Sequence, residues 1–250
     1  MKILLTNDDG VNAKGISVLR EIALQISDDV WTCAPETEQS ATSRSVSLHN
    51  PVRLKKYEER IYSVSGTPTD SVVVALEGLM PDSRPDLILS GVNRGQNLAE
   101  DITFSGTVAG ALQGMQMGVP SIALSLVRGF QGATSLPWET ALAHGPKLIS
   151  DLLAKGWDKN VALNINCPDR APDDVAGTQF TRVGKRDFQM TGVDRRPHPR
   201  GGEYFWLTYG AKLSSPPEGT DLRAIYDGYI SVTPLHTDLT HDPSLTTYNA

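Results

Sequence analysis

The apolar run Lys2-Ile3-Leu4-Leu5-Thr6 stops at Asn7-Asp8-Asp9-Gly10, and that junction limits what the chain can fold into. A short apolar run closed by turn residues suits a strand buried on both faces, hence a parallel sheet covered by helices. Two adjacent carboxylates at the end of such a strand are costly unless they are protonated or paired with cations. In open α/β sheets, the carboxyl ends of strands are also where ligands bind.

The following residues extend the same pattern. Ile16, Leu19, Ile22, Ala23 and Ile26 recur at helical spacing, and a strand fits Val30 to Ala34, closed by Pro35. Strand, helix, strand is the opening of a doubly wound, mostly parallel α/β sheet. Residues 36–50 are polar and rich in Ser and Thr and read as a loop, and Val52 to Tyr57 with Ile61 to Val64 reads as an antiparallel hairpin inserted near 50–65. Thr67-Pro68-Thr69-Asp70 predicts a helix start, with Thr67 as N-cap, Pro68 first in the helix and Asp70 as the acidic partner. That helix is expected to run through Val73, Val74, Leu76 and Leu79.

Asp86 to Asn93 predicts another strand, followed by a glycine-bearing helix from about Ser105, a strand Ser121 to Ser125, a helix 138–154 and a strand 161–165. These elements make an expected core of 1–170. Beyond it, Gln179 to Val183, Tyr204 to Leu207 and Tyr229 to Thr233 are short β-like runs. Residues 195–202, Arg-Arg-Pro-His-Pro-Arg-Gly-Gly, are expected to be irregular, because Pro removes a donor and Gly adds backbone entropy. The stretch 171–250 is thus expected to form a β-rich extension that packs on a partner subunit.

A chain of 250 residues with 39% hydrophobic and 21% charged residues is long enough for one large domain with an appendage, and neither disordered nor fibrous. Its net charge of -6 excludes broad binding to a nucleic-acid polymer, which needs a basic face. A small phosphorylated substrate still fits, since a bound metal reverses the local sign of an acidic pocket. Cys33 and Cys167 fall in apolar stretches and read as buried thiols. The N-terminal apolar run meets Asn-Asp-Asp too soon for a signal peptide, and no apolar segment approaches the roughly 20 residues that span a bilayer. The expectation is a cytoplasmic protein without a membrane partner.

Four short segments carry the chemistry, each with a plainer alternative. Asp8 and Asp9 would converge if the turn closes at Gly10, and hard oxygen ligands select Mg²⁺ or Mn²⁺; an Asx turn with a helix cap uses the same residues. Asn93, at the end of another strand, offers a neutral carbonyl oxygen or a left-handed turn. Ser105-Gly106-Thr107 exposes backbone N–H groups to an anion at a helix start, or simply caps the helix. Gly106, Gly110, Gly114 and Gly118 give that helix a flat stripe. Ser40 is a weak neutral ligand or a solvated loop hydroxyl. His49, His144, His198, His236 and His241 are scattered without metal-binding spacing and read as surface or satisfied core histidines; Gly219-Thr220-Asp221 reads as a turn.

In this order the segments resemble the SurE family (survival protein E), 5′- and 3′-nucleotidases of bacteria and archaea. The resemblance rests on Ile3-Leu4-Leu5-Thr6-Asn7-Asp8-Asp9-Gly10-Val11, Gly66-Thr67-Pro68-Thr69-Asp70 and Ser90-Gly91-Val92-Asn93 with Gly95 and Asn97. It continues through Asp101 with Ser105-Gly106-Thr107-Val108 and Tyr229 to Leu235. It implies a Rossmann-like core and a β-rich extension exchanged between subunits of a homodimer or homotetramer. It also implies one divalent ion per subunit, Mg²⁺ or Mn²⁺, held by Asp8, Asp9, Ser40 and Asn93. Asn97, Ser105, Gly106 and Thr107 would face the substrate phosphate. Two positions depart from the family pattern: Ala41 stands where Gly usually follows the serine, and Phe104 where Tyr is common.

The implied reaction is hydrolysis of a nucleoside 5′- or 3′-monophosphate, with Asp8, Asp9 and Asn93 as the catalytic group and water attacking in line, direct attack by Asp8 being the alternative. Short polyphosphate is a second candidate substrate. A haloacid-dehalogenase-like phosphatase would need Asp-x-Asp and a trailing Lys and acidic pair, against the Asp-Asp-Gly present here. The competing class is a nucleotide-binding or scaffold protein without turnover, since every site residue doubles as a cap or turn residue.

Overall fold

The structure is a computed structural model describing residues 1–129, 136–186, 190–210, 215–242 and 244. The run Lys2–Thr6 is strand β1, followed by helix α1 (Lys14–Leu24) and strand β2 (Asp29–Pro35). A hairpin of β3 (Leu54–Glu58) and β4 (Ile61–Val64) comes next. Helix α2 (Pro68–Val74) begins with the expected capping box, in which the Thr67 hydroxyl accepts from the Asp70 amide and the Asp70 carboxylate accepts from the Thr67 amide. A π-helical turn, Ala75–Leu79, prolongs it.

Strand β5 (Leu87–Arg94), helix α3 (Gly106–Gln116), strand β6 (Ser121–Leu126), helix α4 (Trp138–Lys155) and strand β7 (Ala162–Cys167) complete the expected α/β alternation. The C-terminal part holds β8 (Thr178–Phe180), β9 (Met190–Pro197), β10 (Glu203–Gly210), α5 (Asp221–Tyr226) and β11 (Ile230–Leu235).

Among the described residues these strands form one nine-stranded sheet, in the order β3-β4-β2-β1-β5-β6-β7-β11-β8, and a separate ribbon of β9 and β10. The pairs from β4 through β7 are parallel, while β3 and β11 run antiparallel to their neighbours β4 and β7. The apolar β1 run reflects this layering. Ile3 and Leu5 pack with α1 residues on one face, whereas Leu4 packs with Val72 and Leu76 on the other. Leu87 and Leu89 on β5 join the first cluster and Ile88 the second, so alternation by two distributes one apolar segment over both faces.

Three local expectations change. Gly110 and Gly114 do let α3 lie on the sheet: a Cβ at Gly110 would fall 2.9 Å from Ser90 Oγ, and one at Gly114 only 2.4 Å from Ser121 Oγ. Gly118 is not part of that stripe. It lies past the helix end at φ +83°, where a left-handed residue terminates the last turn. Residues 195–197 are not irregular, since β9 runs to Pro197, and the turn is confined to 198–202 with Gly201 and Gly202 at positive φ. Pro is tolerated there because each strand of a two-stranded ribbon has a free edge. Finally, 171–250 does not stand apart from the sheet. Its described residues send β8 and β11 into the main sheet, while the β9–β10 ribbon lies outside it.

Candidate functional site

Strands β1, β2, β5 and β6 are parallel neighbours, so their carboxyl ends open on one side of the sheet. A cleft of about 960 Å³ lies there, and Asp8, Asp9, Ser40, Asn93, Asn97 and Ser105 all line it. Four of the segments singled out in the sequence therefore meet in one place.

The turn after β1 is built locally. The buried Asn7 carboxamide donates to the Gly10 carbonyl at 2.9 Å and accepts from the Gly10 amide at 3.2 Å, and Gly10 takes φ +101°. The Asp8 carbonyl accepts from the Gln39 amide at 2.7 Å, which ties the Ser40 loop to the turn. Asp8 is 5% exposed. Burial pushes its carboxyl up to about 6 and the charge of Asp9 adds to this, against the opposing hydrogen bond from Thr107. Asp9 is also raised, first by burial and further by Glu38, while the Arg94 backbone and side chain pull it down. The Arg94 amide donates to Asp9 Oδ2 at 3.3 Å.

Two residues expected to face the phosphate also contact Asp8. The Thr107 hydroxyl is buried and donates to Asp8 Oδ1 at 2.5 Å. Gly106 lies against the same carboxylate, where a Cβ would fall 2.7 Å from Asp8 Cβ. Both residues thus brace Asp8, whatever their backbone N–H groups do at the helix start. Ser105 does line it, although its hydroxyl also caps α3 by accepting from the Val108 amide at 3.0 Å.

Asn97 is held by strands beyond the site. Its amide donates to Asn166 Oδ1 at 2.9 Å, its carbonyl accepts from Asn164 and Asn166 at 2.9 and 3.1 Å, and its side chain donates to Ser125 Oγ at 2.8 Å. Ser40 donates to Glu38 at 2.8 Å, and Asn93 donates to the Gly95 carbonyl at 2.9 Å.

Sequence reasoning missed Glu38, Lys14, Arg94, Arg128 and Trp138, which share the cleft. Glu38 and Arg94 are immediate neighbours of residues already selected, which was the available signal. Arg128 and Trp138 come from other elements and had none. Asp221 was read as a turn residue; it is fully buried and accepts from the Ala99 and Gly184 amides at 2.8 Å each, pinning the segment before α3 to the C-terminal part. Among the histidines, His144 is the satisfied one, hydrogen-bonded to the Pro172 carbonyl, and the others are exposed.

The donor set fits a hard divalent cation. Among the described residues no three His, Cys, Asp or Glu side chains are placed to hold a metal ion together. Any cation at this place would rest on the two carboxylates together with neutral oxygens, the combination that Asp8, Asp9, Ser40 and Asn93 offer. A buried carboxyl raised to about 6 beside a second raised carboxyl is the charge imbalance that such an ion relieves.

The family model for survival protein SurE matches residues 3–190. The 5′-nucleotidase SurE of Hyphomonas neptunium is 58% identical over 99% of this chain and 97% of its own length. That of Caulobacter vibrioides is 53% identical over 99% and 94%. The crystal structure of the SurE protein from Aquifex aeolicus superposes with a TM-score of 0.82 at 35% identity, covering 99% of this chain and 98% of that one. With the fold and three-quarters of the chain matched by one family, the protein belongs to the SurE family.

Proposed function

We propose that this chain is a nucleotidase that hydrolyses nucleoside 5′-monophosphates, and 3′-monophosphates at the same site, with one Mg²⁺ or Mn²⁺ per subunit. The observation that carries the reading is the convergence of Asp8, Asp9, Ser40 and Asn93 in one cleft at the carboxyl edge of the sheet. Relatives of near-identical length bear the name 5′-nucleotidase. Asp8, Asp9, Ser40 and Asn93 would hold the ion, which when bound supplies positive charge against the phosphate oxygens.

The chain's own residues do the rest. Thr107 and Gly106 fix the Asp8 carboxylate, and Asn166 fixes the Asn97 loop. Ser105 and Asn97 take up phosphate oxygens from the α3 side of the cleft. Water attacks phosphorus in line, the P–O bond to the nucleoside breaks, and the nucleoside leaves with a proton. The β9–β10 ribbon, with Phe205, Trp206 and Leu207 exposed, supports self-association through exchange of the C-terminal part. Among the described residues no helix is long and apolar enough to cross a membrane.

Phosphate release from nucleoside monophosphates, measured with Mn²⁺ and with EDTA, tests the reading. Release only with the metal is expected. Nucleotide binding without release from any phosphomonoester would replace the enzyme with a binding module.

A further inference from the structure

The cleft is divided by charge along the sheet edge. On its β2 and β1 side lie Glu38, Asp8 and Asp9, the last already met by Arg94 of β5; farther along lies Arg128 after β6, with Lys14 and Trp138 at the starts of α1 and α4. Helices α1 and α4 bring these last two close to β5, since a Cβ at Gly15 would fall 2.0 Å from the Val92 carbonyl oxygen and 3.5 Å from the Trp138 ring. Asp101, the other carboxylate of the cleft, is already paired with Arg186. Among the described residues no salt bridge engages Lys14, Arg94 or Arg128.

Only β5 separates β1 from β6. With neighbouring strands about 4.8 Å apart, the ends of β1 and β6, from which Asp8 and Arg128 follow, lie roughly 10 Å apart. The acidic end accounts for the cation and the scissile phosphate. A nucleoside beyond that phosphate is neutral, and an aromatic ring such as Trp138 is enough to stack on it. Lys14 and Arg128 are exposed cations without a salt bridge among the described residues, placed to meet an anion carried on the far side of a bound sugar. A cavity of about 960 Å³, near the top of the range for small-molecule sites, leaves room for one.

We propose that Arg128 and Lys14, beside Trp138 at the basic end of the cleft, form a subsite for a second phosphate on the far side of the sugar, making nucleoside 3′,5′-bisphosphates a preferred substrate class. This rests on the phosphomonoesterase reading above. It assigns different work to the two ends: the acidic end holds the phosphate that is cleaved, and the basic end holds the one that is kept.

The test compares a nucleoside 5′-monophosphate, its 3′,5′-bisphosphate and its 5′-diphosphate on the wild type, Arg128→Ala and Lys14→Ala. Both kcat/KM with Mn²⁺ and calorimetric binding in EDTA are measured. The bisphosphate is expected to exceed the monophosphate by about tenfold in both readouts, as for one charge-assisted contact. The ratio should fall towards one in either variant. The 5′-diphosphate, whose second phosphate adjoins the first, should gain nothing. Equal gains for the diphosphate and bisphosphate, or an unchanged ratio in both variants, would overturn the subsite. If nothing is hydrolysed, the nucleotidase reading fails, and the binding ratios still decide the subsite.

Discussion

The Thr107 hydroxyl donates to Asp8 Oδ1 at 2.5 Å, across 99 residues of sequence. A helix threonine thus orients the strand-end carboxylate around which the site is built, and it opposes the upward pull of burial on that carboxyl. Thr107→Val keeps the shape and removes the donor. A loss of about 1–3 kcal/mol in transition-state stabilisation is expected, read as a fall in kcat with the fold preserved by circular dichroism. Wild-type turnover in this variant would show that Asp8 needs no brace.

Asp8 also makes the stability of the metal-free protein depend on pH. Its folded value of about 6 lies above the unfolded value of about 3.9, so folding favours the protonated form. The corresponding stability is present below about pH 4 and is lost as pH rises through about 6, an amount on the order of 3 kcal/mol. In EDTA at pH 7, Asp8→Asn should therefore unfold at higher denaturant than wild type while being inactive. Added Mn²⁺ should stabilise the wild type and leave the variant nearly unmoved. Identical urea midpoints for the two proteins at pH 7 in EDTA would contradict this.

Gly106→Ala separates helix propensity from site geometry. Alanine favours the helix by up to about 1 kcal/mol, but its methyl would sit 2.7 Å from Asp8 Cβ. The variant should remain folded and lose activity on the order of tenfold or more through displacement of Asp8. Steady-state kinetics beside a thermal melt would show whether both halves hold.

Ala41 adopts φ +59°, a left-handed conformation that costs a non-glycine residue roughly 1–2 kcal/mol. Part of the gain in Ala41→Gly is offset by the freer unfolded chain, leaving a net stabilisation of about 0.5–1 kcal/mol. Ala41 thus holds a small local strain in the Ser40 loop. A melt in which Ala41→Gly is less stable than wild type would argue that the loop has relaxed differently.

The Asn166 carboxamide both accepts from the amide and donates to the carbonyl of Asn97, at 2.9 and 3.1 Å, in a fully buried position. Asn166→Asp replaces the donor with an acceptor facing a carbonyl. The cost should be about 2–4 kcal/mol of stability, with activity falling as the Asn97 loop loosens. Chemical denaturation measures the first effect and kcat the second.

Much of this protein is determined locally by its sequence. Apolar runs ending in turn residues, helical spacing after Gly15 and the Thr67-Pro68-Asp70 start depend on neighbours a few positions away, and β1, α1 and the α2 capping box formed as those patterns require. The same locality singled out Asp8, Asp9, Asn93 and the Ser105 cap, while Ser40 and Asn97 entered through the family resemblance; all six line the cleft. Tertiary structure decided which residues stand behind them. Thr107 turns inward to Asp8, Asn166 reaches Asn97 from two strands away, and β8 and β11 join the sheet from a segment that looked separate. Short-range periodicity reports how a segment meets its own neighbours in the chain, whereas buried hydrogen bonds and strand pairing are set by which distant segment arrives beside it.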